Sequence, residues 1–304
     1  MSQHTVIITG ATGQLGRQCM KAFKEAGWNT IGTGFSRASG DIRKLDLGDE
    51  EAVKKLIKET KPRVLIHTAA ERAPDKCAND PSGTQRLNVS ATQYLADSCL
   101  ANDAVMIYIS TDYVFPGKEG EAPYSHDSPT SPPNFYGETK LAGEEVVKER
   151  GGVVFRVPVL YGETEYMGES AVNTLMDTVW NKAGKPEIEM DAWSIRYPTN
   201  TMDVARVLKD VADLYKQGRG SLPEILQFSA EERFTKYEIC KIFADVMGLP
   251  HQHIKGNAEN DPNSTVVRPY DCHLSTQALK DLGIDVSATP FKIWWQKYMG
   301  AYKK

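Results

Sequence analysis

The chain has 304 residues, of which 40% are hydrophobic and 25% are charged, and its formal net charge is −4. This composition is typical of a globular protein and excludes a predominantly disordered chain. The small negative charge argues against nucleic acid or an anionic membrane surface as a partner. We find neither the ~18 consecutive apolar residues of a membrane span nor the pattern of a secretory signal, so we expect a cytoplasmic protein.

The cysteines and histidines give no sign of a cross-link or a metal centre. The five cysteines contain no CxxC pair, and the six histidines lack the spacing of metal ligands. The sequence therefore predicts reduced thiols, no disulfide framework and no metal site.

The first half of the chain alternates short apolar segments with segments of helical periodicity. Residues 5–9 predict a strand, and Leu15, Cys19 and Phe23 then recur at helical spacing. Further strands are predicted at 30–33, 64–68, 105–110 and 153–157, and helices near 49–59, 84–101 and 136–150. This alternation predicts an α/β fold with a Rossmann-type, doubly wound parallel sheet. Ligands of such sheets bind at the carboxyl ends of the strands.

The pattern loosens after about residue 160, which predicts a second, smaller lobe. Helices are expected there at 169–182, 203–217 and 235–247, the last beginning with a capping box between Thr235 and Glu238. We expect residues 1–160 to form the dinucleotide-binding domain, whose core also takes up part of 200–230. Residues 161–304 are expected to form mainly a C-terminal α/β lobe for a substrate or a partner.

Three glycines are spaced across the junction of the first strand and helix, in the sequence TGATGQLG at residues 9–16. Gly10 permits a tight turn, Gly13 leaves room for a pyrophosphate, and Gly16 lets the helix pack closely on the sheet. The helix N-terminus offers free N–H groups and the positive end of its dipole to phosphates. The predicted dinucleotide loop comprises Gly10, Thr12, Gly13, Gln14, Leu15 and Gly16.

The segment after the second strand bears on the choice of dinucleotide. NAD-binding proteins normally carry an acidic residue here, which accepts a hydrogen bond from the ribose 2′-hydroxyl. This chain instead has Phe35, Ser36 and Arg37. The guanidinium of Arg37 can bind a 2′-phosphate and Ser36 can add a hydroxyl, so we predict NADP(H) in preference to NAD(H). The alternative is that Arg37 is a solvated loop residue.

Tyr136 and Lys140 are four residues apart and therefore share one face of a predicted helix. A cation near Tyr136 would lower the pKa of its phenol, which suits a group that passes a proton to a carbonyl during hydride transfer. Ser110, Thr111 and Asp112 end the strand at 105–110, at the edge where ligands bind. The alternative is a surface pair of Tyr136 and Lys140 without a catalytic role.

Together these motifs resemble the extended short-chain dehydrogenase/reductase superfamily. They are TGATGQLG, STDYVF at 110–115, YGETK at 136–140 and FRVPVLYG at 155–162. Within it, the chain resembles the branch that contains dTDP-4-dehydrorhamnose reductase and is similar to the family of regulatory β subunits of methionine adenosyltransferase. The similarity to β subunits rests on residues 69–75, 135–141, 169–172, 190–199 and 235–238. The resemblance spans residues 5–295.

The resemblance implies roles for individual residues. Thr111 or Ser110, with Tyr136 and Lys140, would form the catalytic triad, and Lys140 would also bind the nicotinamide ribose. Further implied cofactor contacts are Phe35, then Asp46 and Leu47 in the adenine-edge segment, Ala69 and Ala70 beside the pyrophosphate, and Pro158 and Val159 at the nicotinamide. The candidate substrate residues are Arg72, Asp75, Ser110, Asp112, Trp193 and Arg196. For Arg196, an ordinary surface salt bridge is an equal alternative.

The chain departs from the β subunits at two places. Ser36 precedes Arg37 where β subunits have two arginines. The chain also ends at residues 291–304 without the longer aromatic and basic tail that β subunits insert into their catalytic partner. The terminal aromatic residues, Trp294 and Trp295 among them, can dock on a partner or pack as a terminal helix, and both alternatives stay open.

The resemblance implies an NADP(H)-binding regulatory β subunit of methionine adenosyltransferase, with that enzyme's catalytic subunit as partner and S-adenosylmethionine synthesis as the process. The alternative is an NADPH-dependent reductase of a nucleotide-linked 4-keto-6-deoxysugar, because Thr111, Tyr136 and Lys140 are all present. Fold and triad persist in proteins that have changed role, so the sequence leaves open whether the triad turns over a substrate.

Overall fold

The computed structural model describes residues 4–183, 187–260 and 266–302. In these residues the strands are β1 Thr5–Thr9, β2 Asn29–Gly34, β3 Arg43–Lys44, β4 Val64–His67, β5 Val105–Thr111, β6 Val153–Val157, β7 Leu160–Tyr161, β8 Ile188–Asp191, β9 Thr199–Asn200, β10 Ile225–Gln227 and β11 Ile254–Asn257. Seven of them form one sheet in the order β10-β6-β5-β4-β1-β2-β3. Every neighbouring pair in this sheet is parallel. The predicted Rossmann-type parallel sheet is confirmed.

Some helices of the described residues pack on this sheet, and others lie in a cluster outside it. The helices are α1 Gln14–Glu25, α2 Glu50–Thr60, α3 Pro74–Asn79, α4 Pro81–Gln85, α5 Ala91–Ala101, α6 Phe135–Glu149, α7 Asn173–Lys182, α8 Thr201–Tyr215, α9 Lys236–Met247, α10 Gln277–Asp281 and α11 Phe291–Tyr302. A π-helical turn, Arg86–Ser90, joins α4 to α5. None of the helices in the described residues is long and apolar enough to cross a membrane.

Alternation along the central strand β1 distributes its side chains between two cores. Val6 and Ile8 point to the face covered by α1 and α8, where they join Phe23 and Val204. Ile7 points to the opposite face, against α2 and α5. The strand order reverses between β1 and β4, which places the ligand-binding crevice of the sheet at the carboxyl ends of these two strands.

A third apolar cluster lies outside the large sheet and contains residues from β7, α7, α9 and α11. Phe291 and Trp295 of α11 are fully enclosed there and contact Phe243 of α9. Trp294 stacks on Tyr298 with ring centroids 4.6 Å apart. Of the two alternatives for the terminal aromatic residues, the structure shows them packed as a terminal helix against β7 and α9.

The predicted helix at 169–182 begins later in the structure than we predicted, and the predicted helix at 84–101 is divided into α4, the π-helical turn and α5. We predicted a helix from 169, whereas α7 begins at Asn173 after a 3-10 turn at Met167–Glu169. The hydroxyl oxygen of Ser170 accepts hydrogen bonds from the N–H groups of Val172 and Asn173, and it thereby starts the helix later. Beyond residue 160, α8 packs on α1 and β10 extends the large sheet. The division into two lobes stays a prediction.

Candidate functional site

The glycine loop forms the turn between β1 and α1. Gly10 has a φ of +67°, and a Cβ there would lie 2.8 Å from the backbone nitrogen of Ala69. A Cβ on Gly16 would lie 2.1 Å from the carbonyl oxygen of Gly10. The N–H of Gly13 donates to that same oxygen at 2.9 Å. The loop is therefore a tight turn packed against the end of β4. At Gly10 and Gly16 there is no room for a side chain, so glycine is required at both positions.

The N-terminus of α1 is suited to an anionic ligand. Its N-cap residue, Gly13, offers no side chain to the amides of the first turn. Several other long helices do have such a side-chain cap, namely Asp49, Asn134, Asn200 and Thr235. The side-chain nitrogen Nε2 of Gln14 is buried without a hydrogen-bond partner among the described residues. Uncapped amides and an unpaired buried amide group together fit the pyrophosphate of a dinucleotide.

The predicted adenine-edge residues follow β2 and β3 at the same edge of the sheet. Phe35 is 57% exposed and has the ammonium of Lys44 5.8 Å from its ring centroid. Asp46 is exposed and accepts a hydrogen bond from the N–H of Gly48, while Leu47 is buried. Phe35 thus offers an open aromatic face, on which an adenine can stack.

Arg37 is exposed, but it is paired with two carboxylates that neither sequence interpretation included. Its Nη1 lies 2.8 Å from Oε2 of Glu165 and 3.2 Å from Oε1 of Glu169. Glu169 also holds Arg17 through two bonds, of 2.8 and 2.6 Å. Its carbonyl oxygen accepts a further hydrogen bond from Arg72. The segment of residues 163–169, which we call the acidic strap, therefore joins three arginines that come from separate parts of the sheet edge.

The structure distinguishes the two hydroxyl candidates at the end of β5. Ser110 donates to Oε1 of Glu144 at 2.6 Å, and Glu144 forms a buried ion pair of 2.7 Å with Arg156. Ser110 is thus part of an internal network. Thr111 instead donates to Oδ1 of Asp112 at 3.0 Å and accepts from the N–H of Tyr113 at 3.2 Å. Thr111 is the better candidate for the catalytic hydroxyl.

The predicted effect of Lys140 on Tyr136 needs correction. Burial raises the pKa of Tyr136 above its ordinary value, although a hydrogen bond with Thr111 acts to lower it. Lys140 is 3% exposed, and burial lowers the pKa of its ammonium to about 7 against the opposing charge of Glu144. Its Nζ lies 3.9 Å from the ring centroid of Tyr108. Desolvation therefore outweighs the attraction between a cation and a phenolate at this site.

A second set of charged groups, Asp112, Arg196 and Lys236, lies near the candidate hydroxyl Thr111. Burial raises the pKa of Asp112 to about 6, while Arg196 acts to lower it. Arg196 is buried and donates to the carbonyl oxygens of Ile195 and Pro269 at 2.8 and 3.2 Å. The alternative of an ordinary surface salt bridge is therefore wrong for Arg196. Burial and the nearby Arg196 and Arg268 lower the pKa of Lys236.

The other predicted residues either follow strands of the large sheet or contact residues close to Arg196 and Arg268. Trp193 is half-buried with its ring centroid 5.2 Å from that of Tyr270. Asp75 binds Arg268 at 3.0 Å. Ala69 and Ala70 follow β4 beside the glycine loop, whereas Pro158 and Val159 follow β6.

Sequence reasoning missed several charged residues at the sheet edge and in the cleft, namely Arg17, Glu165, Glu169, Lys236 and Arg268. Arg17 and Glu169 are 152 positions apart, so no local pattern indicates that they meet. Only their positions in the sequence could have indicated a role. Arg17 follows the third glycine directly, and Glu169 is the first residue of one of the segments on which the resemblance to β subunits rests.

A family model and a relative of 40% identity both cover nearly the whole chain. Residues 4–299 match the family described as RmlD substrate binding domain. Methionine adenosyltransferase 2 subunit beta of Mus musculus is 40% identical over 289 residues, which cover 94% of this chain and 84% of that protein.

Solved structures share the fold over nearly the whole length. A dTDP-4-dehydrorhamnose reductase of Clostridium acetobutylicum superposes with a TM-score of 0.83 at 26% identity, covering 99% of this chain and 100% of that one. A dTDP-4-dehydrorhamnose reductase of Bacillus anthracis, in complex with NADP, gives a TM-score of 0.83 at 23% identity, covering 98% and 99%. The predicted resemblance to this branch of the extended short-chain dehydrogenases/reductases is confirmed, and the chain belongs to the RmlD substrate binding domain family.

Proposed function

We propose that the protein is an NADP(H)-binding regulatory subunit of a methionine adenosyltransferase. The observation that carries this proposal is the 40% identity to methionine adenosyltransferase 2 subunit beta, which extends over 94% of the chain and 84% of that relative. The adenosyltransferase catalytic subunit is the partner in this proposal. The sheet domain would hold the dinucleotide, and the lobe that follows residue 160 would face a substrate or the partner.

The dinucleotide part of the proposal rests on the residues of the sheet edge. The amides of the α1 N-terminus and the side chain of Gln14 would bind the pyrophosphate, Phe35 the adenine, and Arg37 with Ser36 the 2′-phosphate. Lys140 would donate to the nicotinamide ribose. When bound, NADPH supplies a hydride.

We expect Arg37→Ala to weaken NADP⁺ binding roughly tenfold and to leave NAD⁺ binding unchanged. A charge-assisted hydrogen bond contributes about 1.5–3 kcal/mol. The effect is expected near the lower end because Arg37 is 39% exposed and already paired. Calorimetric titration with both dinucleotides measures it, and Arg150→Ala, at the far end of α6, is the matched control. Equal affinity of the wild type for NADP⁺ and NAD⁺ would contradict the assignment.

A reductase activity is the second candidate function, and one observation favours it. Thr111, at the carboxyl end of β5, lies with Tyr136 and Lys140 in a cleft where the buried Arg196 is close to Asp112 and the half-buried Lys236 is close to Arg196. Because its pKa is raised, the phenol of Tyr136 is present as the neutral acid and can donate its proton to a carbonyl oxygen. The cations of the cleft suit the diphosphate of a nucleotide sugar.

One variant, Tyr136→Phe, separates the two functions. If the protein is a regulatory subunit, the wild type and the variant both associate with the cognate adenosyltransferase catalytic subunit in the presence of NADP⁺, because a single hydroxyl inside the cleft does not alter the outer surface. Light scattering of the mixed proteins measures this association, and NADPH oxidation with a 4-keto-6-deoxysugar nucleotide measures reductase activity. Absence of association at micromolar concentration, with turnover that only the wild type shows, would establish the reductase instead.

A further inference from the structure

The acidic strap, residues 163–169, lies across the edge of the sheet at which the proposed dinucleotide site is found. It contacts Arg17 on α1, Arg37 after β2 and Arg72 after β4. These arginines flank the glycine loop, and Arg17 also donates to the carbonyl oxygen of Thr12 within that loop at 2.6 Å. The strap is therefore next to the positions where the phosphates of a dinucleotide would bind.

The two carboxylates of the strap that contact Arg37 are held very differently. Glu169 is 4% exposed, and its oxygens accept bonds from Arg17, from Arg37 and from the N–H of Glu165. Burial acts to raise the pKa of Glu169, but the hydrogen bonds from Arg17 and the backbone outweigh it and hold the pKa below its ordinary value. Glu169 is a fixed anion that anchors the strap to α1.

Glu165 is the movable member of this pair. It is 52% exposed, and its Oε2 lies 2.8 Å from Nη1 of Arg37 and 3.6 Å from Nη1 of Arg17. An exposed ion pair contributes little to folding, so Glu165 can be exchanged without loss of the fold. Its carboxylate nevertheless places a negative charge beside the guanidinium of Arg37, which would bind a 2′-phosphate.

We propose that Glu165 is a specificity-determining residue of the dinucleotide site, which competes with the 2′-phosphate for Arg37 and thereby reduces the preference for NADP(H) over NAD(H). The proposal rests on the dinucleotide site described under the proposed function. A 2′-phosphate must displace or approach the carboxylate of Glu165, whereas the 2′-hydroxyl of NAD carries no charge and meets no such repulsion. Glu169 anchors the strap and so keeps Glu165 in place.

The test is Glu165→Gln, which removes the charge and keeps the shape of the side chain. We expect NADP⁺ to bind roughly fivefold more tightly, which corresponds to the upper range for an exposed ion pair. NAD⁺ affinity should change by less than about twofold, because its ribose makes no ionic contact with Arg37. Adenosine 2′,5′-bisphosphate and 5′-AMP differ in the 2′-phosphate and lack the nicotinamide half. Calorimetry with these two ligands therefore measures the effect of the 2′-phosphate by itself. The gain in NADP⁺ affinity should vanish when Arg37→Ala is added, and a double-mutant cycle measures this coupling between the two residues.

Glu163→Gln is the matched control, since it removes the same charge from the same segment. Its Oε2 faces Gln18 at 3.4 Å rather than Arg37. Equal gains for NADP⁺ and NAD⁺ in Glu165→Gln, or a gain as large in Glu163→Gln, would show a general charge effect and overturn the role of Glu165 while leaving the dinucleotide site intact. A wild type that binds neither dinucleotide would overturn the dinucleotide site and this inference together.

Discussion

Replacing Gly13 by valine is expected to weaken NADPH binding by at least about a hundredfold while the melting temperature stays close to that of the wild type. Gly13 has a φ of −84° and a ψ of 166°, which valine adopts without strain. A Cβ there would meet only the carbonyl oxygen of Gly10 within 4 Å, at 3.2 Å, so a small shift accommodates it. The added methyl groups would instead cover the amides of α1, and losing two charge-assisted bonds of about 1.5–3 kcal/mol each accounts for the expected loss.

Gly10→Ala is the contrasting variant. The positive φ and the 2.8 Å approach to the backbone of Ala69 leave no room for a methyl group, so this variant should lose both stability and binding. Fluorescence titration with NADPH, beside a thermal melt of each variant, separates the two effects. Normal NADPH affinity in Gly13→Val would show that the loop does not receive the pyrophosphate.

The pH dependence of NADP⁺ binding is expected to follow Lys140. Burial lowers the pKa of Lys140 to about 7, so its ammonium is lost as the pH rises above neutrality. If the ligand requires protonated Lys140, the protein must take up a proton when the ligand binds. The affinity then falls by up to about tenfold for each pH unit above 7. Below pH 7 the lysine is already charged and the affinity should level off. Calorimetry between pH 6 and 9, in buffers of different ionisation enthalpy, measures both the affinity and the proton uptake.

Lys140→Met should remove this pH dependence, and it offers an independent check on the pKa itself. Between the folded value of about 7 and the ordinary value of 10.5, the unfolded chain binds a proton that the folded chain lacks. The free energy of unfolding of the wild type should therefore rise with pH in this window relative to Lys140→Met. A flat difference between the two proteins, or proton release on binding, would contradict the assigned role of Lys140.

The elements that could be predicted from the sequence are those whose causes are local. The strand, glycine turn and helix at residues 5–25 are encoded by adjacent residues, and the capping box at α9 needs only Thr235 and Glu238, which exchange hydrogen bonds of 3.2 and 2.7 Å. The alternation of strands and helices then leaves few topologies open, because parallel crossovers have one hand. Family and fold were therefore available from the sequence, and so was the edge of the sheet at which we propose that the cofactor binds.

The tertiary structure decided the charges and the partners of the side chains at that edge. The pKa of Tyr136 is raised rather than lowered because its phenol is desolvated more than it is helped by a cation, and burial is not readable from a four-residue spacing. Ser110 and Thr111 are adjacent in sequence, but they face opposite sides of β5, and only one of them reaches Glu144. Arg37 meets Glu165 across 128 positions of the chain. Sequence periodicity encodes which residues share a face, whereas the electrostatics of the site depend on contacts that exist only after distant segments have packed together.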